Sequence, residues 1–431
     1  MRNFLILFFF IIINLNRIEG YLIALPILLY GFGLLEELVF NQTKTMESAA
    51  HKSFGAYVLY GLLLVSFVSL FRTNYTVAPY VNAMRQALAA ALVVLYFMIV
   101  IRRELADPVT SLYKAKSLLV KFMCSMALYI ALNLLLFFLN IMPASPIYLG
   151  PNMLLGFFNI QMERVLFPVS EGIVNFASFA GTLLTLSVLG LLTERNRALR
   201  ALFAVFGSLA LVSMFLTDSR TSLLNALLAV ILIQLFKKRA AIGSLKYLAV
   251  LTPVLPILFI LLINLFVGIP FFEQFARSSS DFETGNSRLF IWGISFIELL
   301  DFKWIHLIGW GEFGQYASGC SIKWAALFNG KFEYPEFTSP HNIILQFIFN
   351  TGYIGALLFL ISLWLGIKRG VLFSKMSSMG LLLIAFFVYY DFSGITDAVF
   401  MFYSNGFFLY IVMLCIVLFA LPESLVEERS A

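Results

Sequence analysis

Charge is scarce in this sequence. Asp, Glu, Lys and Arg supply 12% of its 431 residues, about half the share of a soluble globular protein. Runs such as "ALAAALVVLYFMIVI" and "YLAVLTPVLPILFILLINLFVG" carry no charge at all. A soluble domain is thereby excluded, and an integral membrane protein is expected. Cysteine is equally sparse: Cys124 and Cys415 fall in apolar runs and Cys320 alone in a polar segment, so no disulfide framework can form. There are only three histidines, and His306 and His341 have no Cys, Asp or Glu at ligand spacing, which argues against a metal centre. No phosphate-binding loop or dinucleotide fingerprint occurs, so neither a nucleotide nor another cofactor is implied. No nucleic-acid-binding motif accompanies the net charge of +6. The period-two alternation of a membrane barrel is also missing.

What remains is hydrophobic sequence in lengths suited to membrane-spanning helices, which need about 20 apolar residues each. Twelve candidates stand near 4–16, 20–37, 55–71, 87–101, 118–140, 172–192, 198–216, 221–236, 247–269, 343–367, 379–399 and 402–420. The first is short and basic at its start, like a signal peptide, but "NLNRIEG" lacks a small-residue cleavage site and a retained helix is the expectation. With the N-terminus inside, 19 of the 29 Lys and Arg fall on the inner side and 10 outside. That asymmetry predicts both termini in the cytoplasm. The expected fold is therefore all-α and polytopic, a single integral membrane domain over 1–431 with no internal repeat. Two long connections, 141–171 and 270–340, lie on the outer face, where a site carried on loops is expected. Within the larger loop, "RLFIWGISFIELLDFKWIHLIGWG" repeats apolar residues at helical spacing. It predicts one or two surface helices with Trp292, Trp304 and Trp310 at headgroup level.

Several polar residues stand where a membrane protein has no structural need of them. Arg220, in "FLTDSRTSLLNALLA", falls in the first turn of the eighth span, with Asp218 or Ser219 as cap. A cation is poorly placed at a helix N-terminus unless an anion docks there, since exposed amides and a guanidinium together make a phosphate site. Pairing with Asp218 or reaching to lipid headgroups explains Arg220 equally well. Arg288 opens the surface helix behind Asn286 and Ser287, and the same reasoning applies, although a solvated loop charge is the commoner role. Arg164, beside Glu163, suggests a local ion pair first. In "TSPHN", Ser339 reads as cap, Pro340 as first helical residue and His341 as a first-turn residue. The helix dipole there predicts a neutral imidazole, which suits a general base. A lone histidine at a helix entrance more often only supplies hydrogen bonds. Gly352 and Gly355 follow at i, i+3, which lets a neighbouring helix approach. At about 1.5 Å per residue, 341–367 would reach about 40 Å, past the hydrocarbon core, so His341 should emerge near or just beyond the outer boundary unless the helix tilts or breaks at Asn350. Asp391 and Asp397 flank "FSGIT", where either could line an acceptor path or cap a helix end.

These pieces have a familiar order. "HN", nine residues, then "GYIG" resembles the His-Asn/Ser/Gln, nine residues, Gly-x-x-Gly motif of the bacterial O-antigen ligase family. "RTSLL", from Arg220 to Leu224, is similar to its Arg-x-x-x-Leu motif, and "SRLFIW" with "GWGEFG" to its outer-loop Arg-x-x-x-Trp and Gly-x-Gly segment. The resemblance covers roughly residues 160 to 400. It implies a GT-C-like glycosyltransferase of the bacterial inner membrane with its site facing the periplasm, inverting and metal-independent. The donor would be a glycan on undecaprenyl diphosphate, and the acceptor a hydroxyl of lipid A core oligosaccharide. By carry-over Arg220 and Arg288 bind the diphosphate, His341 activates the acceptor, Asn342 and Arg164 contact substrate, and Leu224, Gly352 and Gly355 are structural. Polymerases and protein O-oligosaccharyltransferases of the same superfamily share these features, so the acceptor stays open between lipid A core, a growing glycan and a protein. A transporter of lipid-linked sugars is the rival from another class, but its charges would sit near the midplane and its halves would repeat.

Overall fold

The computed structural model describes residues 1–40, 53–72, 80–107, 109–141, 150–237, 240–256, 258, 288–329 and 334–420. Most of the ninth span and residues 270–287 of the larger loop lie outside them. Among the described residues the regular structure is helical, joined by turns and irregular segments, with one isolated antiparallel bridge between Pro151 and Glu163. The helices are α1 (Arg2–Leu7), α2 (Phe9–Asn14), α3 (Ala24–Phe40), α4 (Phe54–Phe71), α5 (Tyr80–Glu104), α6 (Ser111–Phe138), α7 (Met153–Gly156), α8 (Ile173–Thr193) and α9 (Arg197–Leu216). They continue as α10 (Arg220–Phe236), α11 (Leu248–Leu251), α12 (Arg288–Leu300), α13 (Ile305–Ile308), α14 (Gly314–Ala317), α15 (Ile343–Ser374), α16 (Met379–Thr396) and α17 (Asn405–Phe419).

Among the described residues, eight helices are long and apolar enough to cross a membrane: Gly20–Val39, a short 3-10 turn running into α3, and those within α4, α5, α6, α8, α9, α15 and α16. The eighth and twelfth expected spans appear as the shorter apolar helices α10 and α17. The first differs in kind: it is two short helices that meet at Phe8. Phe9 and Phe10 are fully buried, with Phe9 against Phe97 at 4.6 Å and Phe10 against Phe179 at 4.7 Å.

Starts are set by side-chain caps. Ser53 accepts from Ala56 N, Asn196 from Ala198 N and Leu199 N, and Ser404 from Phe407 N, each satisfying amides that a helix start leaves without partners. Inside a membrane, helix association rests on packing and interhelical hydrogen bonds, because lipid is as apolar as leucine. Accordingly α16 is buried along nearly its whole length. The Tyr389 hydroxyl donates to Ser178 O at 2.9 Å, and an alanine Cβ at Gly181 would fall 2.1 Å from that hydroxyl.

Two ends of the bundle differ in chemistry. At one, Arg2 and Arg103 both meet the buried Glu37, at 2.7 and 2.9 Å. Lys121 donates to Asn3, and Lys116 pairs with Glu194 across α6 and α8. At the other end, the segment 150–172 docks on the α9–α10 turn through Val165 N to Leu216 O and Asn152 Nδ2 to Phe215 O. Asn405 N there donates to Glu171, and Asn342 Nδ2 donates to Ile395 O. The site residues gather at this second end.

Candidate active site

The frame of the site is a helix that breaks. α15 departs from helical geometry at Gly352 (φ 74°, ψ −175°), so a first half, 343–351, turns sharply against the second. Phe347 and Phe359 lie twelve positions apart yet stack with centroids 4.6 Å apart, and Phe400 packs on both. A straight helix would separate such residues by about 18 Å along its axis. Of the alternatives for 341–367, a straight helix or one that tilts or breaks at Asn350, the structure takes a break, two residues on at Gly352. The expected approach of a neighbouring helix occurs at Gly352, against the short helix α13, whereas at Gly355 the near neighbour is in the same helix. A Cβ on Gly352 would fall 2.3 Å from the Leu307 carbonyl, and one on Gly355 would fall 2.4 Å from Thr351 Cβ in the same helix. Positive φ without a side-chain penalty is available only to glycine, so Gly352 both turns the chain and lets the outer loop against it.

The outer loop fills the break. Trp310 N donates to Phe349 O at 2.8 Å and Gly311 N to Asn350 O at 3.0 Å. These carbonyls lie at the end of the first half-helix, where carbonyls commonly need a partner from outside the helix. Gly309 (φ 73°) makes the same close approach from the loop side, with a Cβ position 2.5 Å from the Asn350 carbonyl and Gly352 N. The glycines of "GWG" and "GYIG" are therefore two faces of one backbone contact.

His341 sits at the start of this half-helix, but not in its first turn. Asn342 is the cap: its Oδ1 accepts from Leu345 N at 3.0 Å and its Nδ2 donates to Ile395 O at 3.0 Å. The cap expected at Ser339 moves three residues on, and both ends of the buried Asn342 side chain are engaged in positioning the chain. His341 precedes the cap with φ 49°, a left-handed conformation that costs a non-glycine residue roughly 1–2 kcal/mol. Such strain gathers at functional sites. The ring's Nδ1 lies 3.3 Å from Asp397 Oδ1. Because an ionised carboxylate can only accept, this pairing puts the imidazole proton on Nδ1 and leaves Nε2 with its lone pair. The ring is thus oriented by Asp397 and not by the helix start.

α12 is joined to the same turn. Trp292, one helical turn from Arg288, is fully buried, and its Nε1 donates to Pro340 O at 3.0 Å. It faces the protein interior. Trp304 is 80% exposed, and Trp310 packs against Phe349.

Arg220 and Arg164 share the α9–α10 turn. Arg220 opens α10, where Ser219 occupies the cap position without a side-chain cap bond. Asp218 Oδ1 lies 3.8 Å from Arg220 Nε and accepts from Leu154 N at 3.1 Å, so it caps α7 while approaching Arg220. Arg164 Nε donates to Thr217 O at 3.1 Å, a role that pairing with Glu163 did not suggest. α10 packs against α16, where Asn225 Nδ2 reaches Ser393 Oγ one turn before Asp397. His341 and Asp397 are thus in contact, Arg288 follows through Trp292, and Arg220 through α10 and α16. Leu224 is 53% exposed among the described residues and turns outward. Asp391 is buried with Thr252, whose hydroxyl donates to it at 2.6 Å.

The arrangement offers one imidazole with a carboxylate behind it, and guanidinium groups at two nearby helix starts. It can remove a proton from a hydroxyl and meet anionic charge. No group of three or more His, Cys, Asp or Glu that could hold a metal ion occurs among the described residues. Residues 203–360 match the family model described as O-antigen ligase. The match includes Arg220, Arg288, His341, Asn342, Gly352 and Gly355, and leaves Arg164 and Asp397 outside it. No curated protein matches the chain.

Proposed function

We propose that the chain, whose residues 203–360 match the O-antigen ligase family model, is a member of that family and transfers a glycan from undecaprenyl diphosphate to a hydroxyl of lipid A core oligosaccharide. The family is one of glycosyltransferase-like membrane enzymes, ligases and polymerases. The finer reading rests chiefly on His341 and Asp397 at 3.3 Å. In this reading His341 Nε2 takes the acceptor's proton as its oxygen attacks the anomeric carbon. The bond from that carbon to the diphosphate breaks in the same displacement, so the configuration inverts and undecaprenyl diphosphate leaves as an anion. Arg220 and Arg288 meet the charge developing on it, and Arg164 supports the turn that carries Arg220. Fixed donors of this kind act most where charge grows, and removing one typically costs about 100- to 1000-fold in rate. The distribution of Lys and Arg supports a periplasmic site end, where such a donor is presented, with both termini in the cytoplasm.

Transfer in proteoliposomes holding the lipid-linked glycan and lipid A core oligosaccharide tests this, comparing wild type with His341→Ala and Arg288→Ala at matched expression. Glycan on the core lipid with wild type and loss with both variants is the expected result. Consumption of donor into longer chains would assign a polymerase with the same site. Movement of intact lipid-linked glycan between leaflets, without transfer, would sink the enzyme reading.

A further inference from the structure

The polar groups buried at the elbow are more than the break requires. Phe349 O and Asn350 O already receive the amides of Trp310 and Gly311. Beyond these, Asn350 Oδ1 accepts from Gly314 N at 3.1 Å and from Gln346 Nε2 at 2.8 Å, while its Nδ2 donates to Glu312 Oε2 at 3.0 Å. Gln346 Nε2 also reaches Gln315 Oε1 at 3.2 Å. Glu312 N donates to Ser69 O at the end of α4, and a cavity lined by Ser66, Ser69, Glu312, Gln346 and Asn350 lies against the group. One side chain, Asn350, therefore ties three parts of the outer loop, at 312, 314 and through Gln346 at 315, to the half-helix whose other end holds His341.

We infer that Asn350 and Glu312 form a clamp that positions His341 for proton removal, acting through the rigid half-helix 343–351. The inference rests on the transfer reading above. His341 is held at its own end by Asn342 and Asp397, and its half-helix is joined covalently to the rest of the span through Gly352, a residue with wide conformational freedom. The angle at such a glycine is held by the contacts beside it, and the clamp lies two residues from it, adding side-chain bonds to the loop amides and the Phe347–Phe359 packing. Asn350 is a positioning residue and touches no reacting atom. Its loss should lower the rate of the chemical step and leave donor binding unchanged, because misplacing a base by about 1 Å can cost about 100-fold.

The bond polarity gives a specific test. Asn350→Asp sets a carboxylate against Glu312, whereas Asn350→Asp with Glu312→Gln restores one donor facing one acceptor and keeps both acceptor bonds from Gly314 and Gln346. Using the full chain in proteoliposomes with lipid-linked glycan donor and lipid A core acceptor, kcat and donor KM are measured for both. The expected result is a kcat about 100-fold lower for Asn350→Asp with KM within about threefold, and recovery to within about threefold in the reciprocal pair. In a His341→Ala background, Asn350→Asp should cost nothing further, since residues that act through one another are non-additive. Should Asn350→Asp fail to fold, Gln346→Leu removes fewer bonds and carries the same cycle with His341→Ala. Full multiplication of the two losses, a rise in KM at unchanged kcat, or an unaffected rate would overturn the clamp while leaving the transfer reading intact. A wild type that transfers no glycan would overturn both.

Discussion

An imidazole is only as useful as the proton arrangement imposed on it, and at His341 that arrangement is set by one carboxylate. With Asp397 at Nδ1, Nε2 is left to accept. Asp397→Asn keeps the size of the side chain but lets an amide N–H face Nδ1, which moves the ring proton to Nε2 and removes the acceptor. Transfer by Asp397→Asn should fall about 10- to 100-fold, the cost of losing an orienting partner, with less effect on donor KM. A rate equal to wild type would separate Asp397 from the chemistry. The sequence displays His341 well, because its motif is local. It displays Asp397 only as a polar residue near a helix end, since the partnership joins positions 56 apart. The start signal around His341 is misleading for a related reason. Ser339, Pro340 and Asn342 are all good helix-start residues, and the choice of Asn342 is made by contacts from afar: Trp292 on the Pro340 carbonyl and Ile395 on the Asn342 amide.

At the scale of elements, hydropathy locates the long spans, and Asn350, Thr351 and Gly352 mark in the sequence where this one can break, but not what fills the break. A helix break in an apolar setting is costly unless each exposed carbonyl finds a donor, and here those donors come from about 40 positions earlier in the chain, at Trp310 and Gly311. The clamp beside them carries a titration. Burial raises the carboxyl of Glu312, in the outer loop, from 4.5 to about 7. Because the folded value lies above the unfolded one, the folded protein keeps a proton that the unfolded chain releases over this window. The contribution to stability is therefore complete below about pH 4.5 and declines as pH rises to about 7. Glu312→Gln stays neutral throughout, and its Oε1 can still accept from Asn350. Thermal unfolding of the detergent-purified protein should show wild type losing a few degrees between pH 5 and 8, with Glu312→Gln flatter over the same range. Parallel slopes for the two proteins would place the titration elsewhere.

For the whole molecule, the distribution of charge carries the expectation about orientation. The segments richest in Lys and Arg, around 102–116 and 194–200, gather with Arg2 at the end that holds the Glu37 network. His341, Arg288 and Arg220 gather at the opposite end. The two observations are independent, since one counts residues and the other follows hydrogen bonds, and together they predict which end meets the periplasm. Val109 is 90% exposed near the charged end and Trp304 80% exposed in the outer loop, so cysteines there would be open to reagent. With Cys124, Cys320 and Cys415 replaced by alanine, Trp304→Cys should react with a membrane-impermeant maleimide once the outer membrane is opened. Val109→Cys should react only after the inner membrane is permeabilised. The reverse pattern would turn the site toward the cytoplasm, where His341 could not reach a donor presented on the outer leaflet, and the transfer reading would lose its substrate along with its orientation.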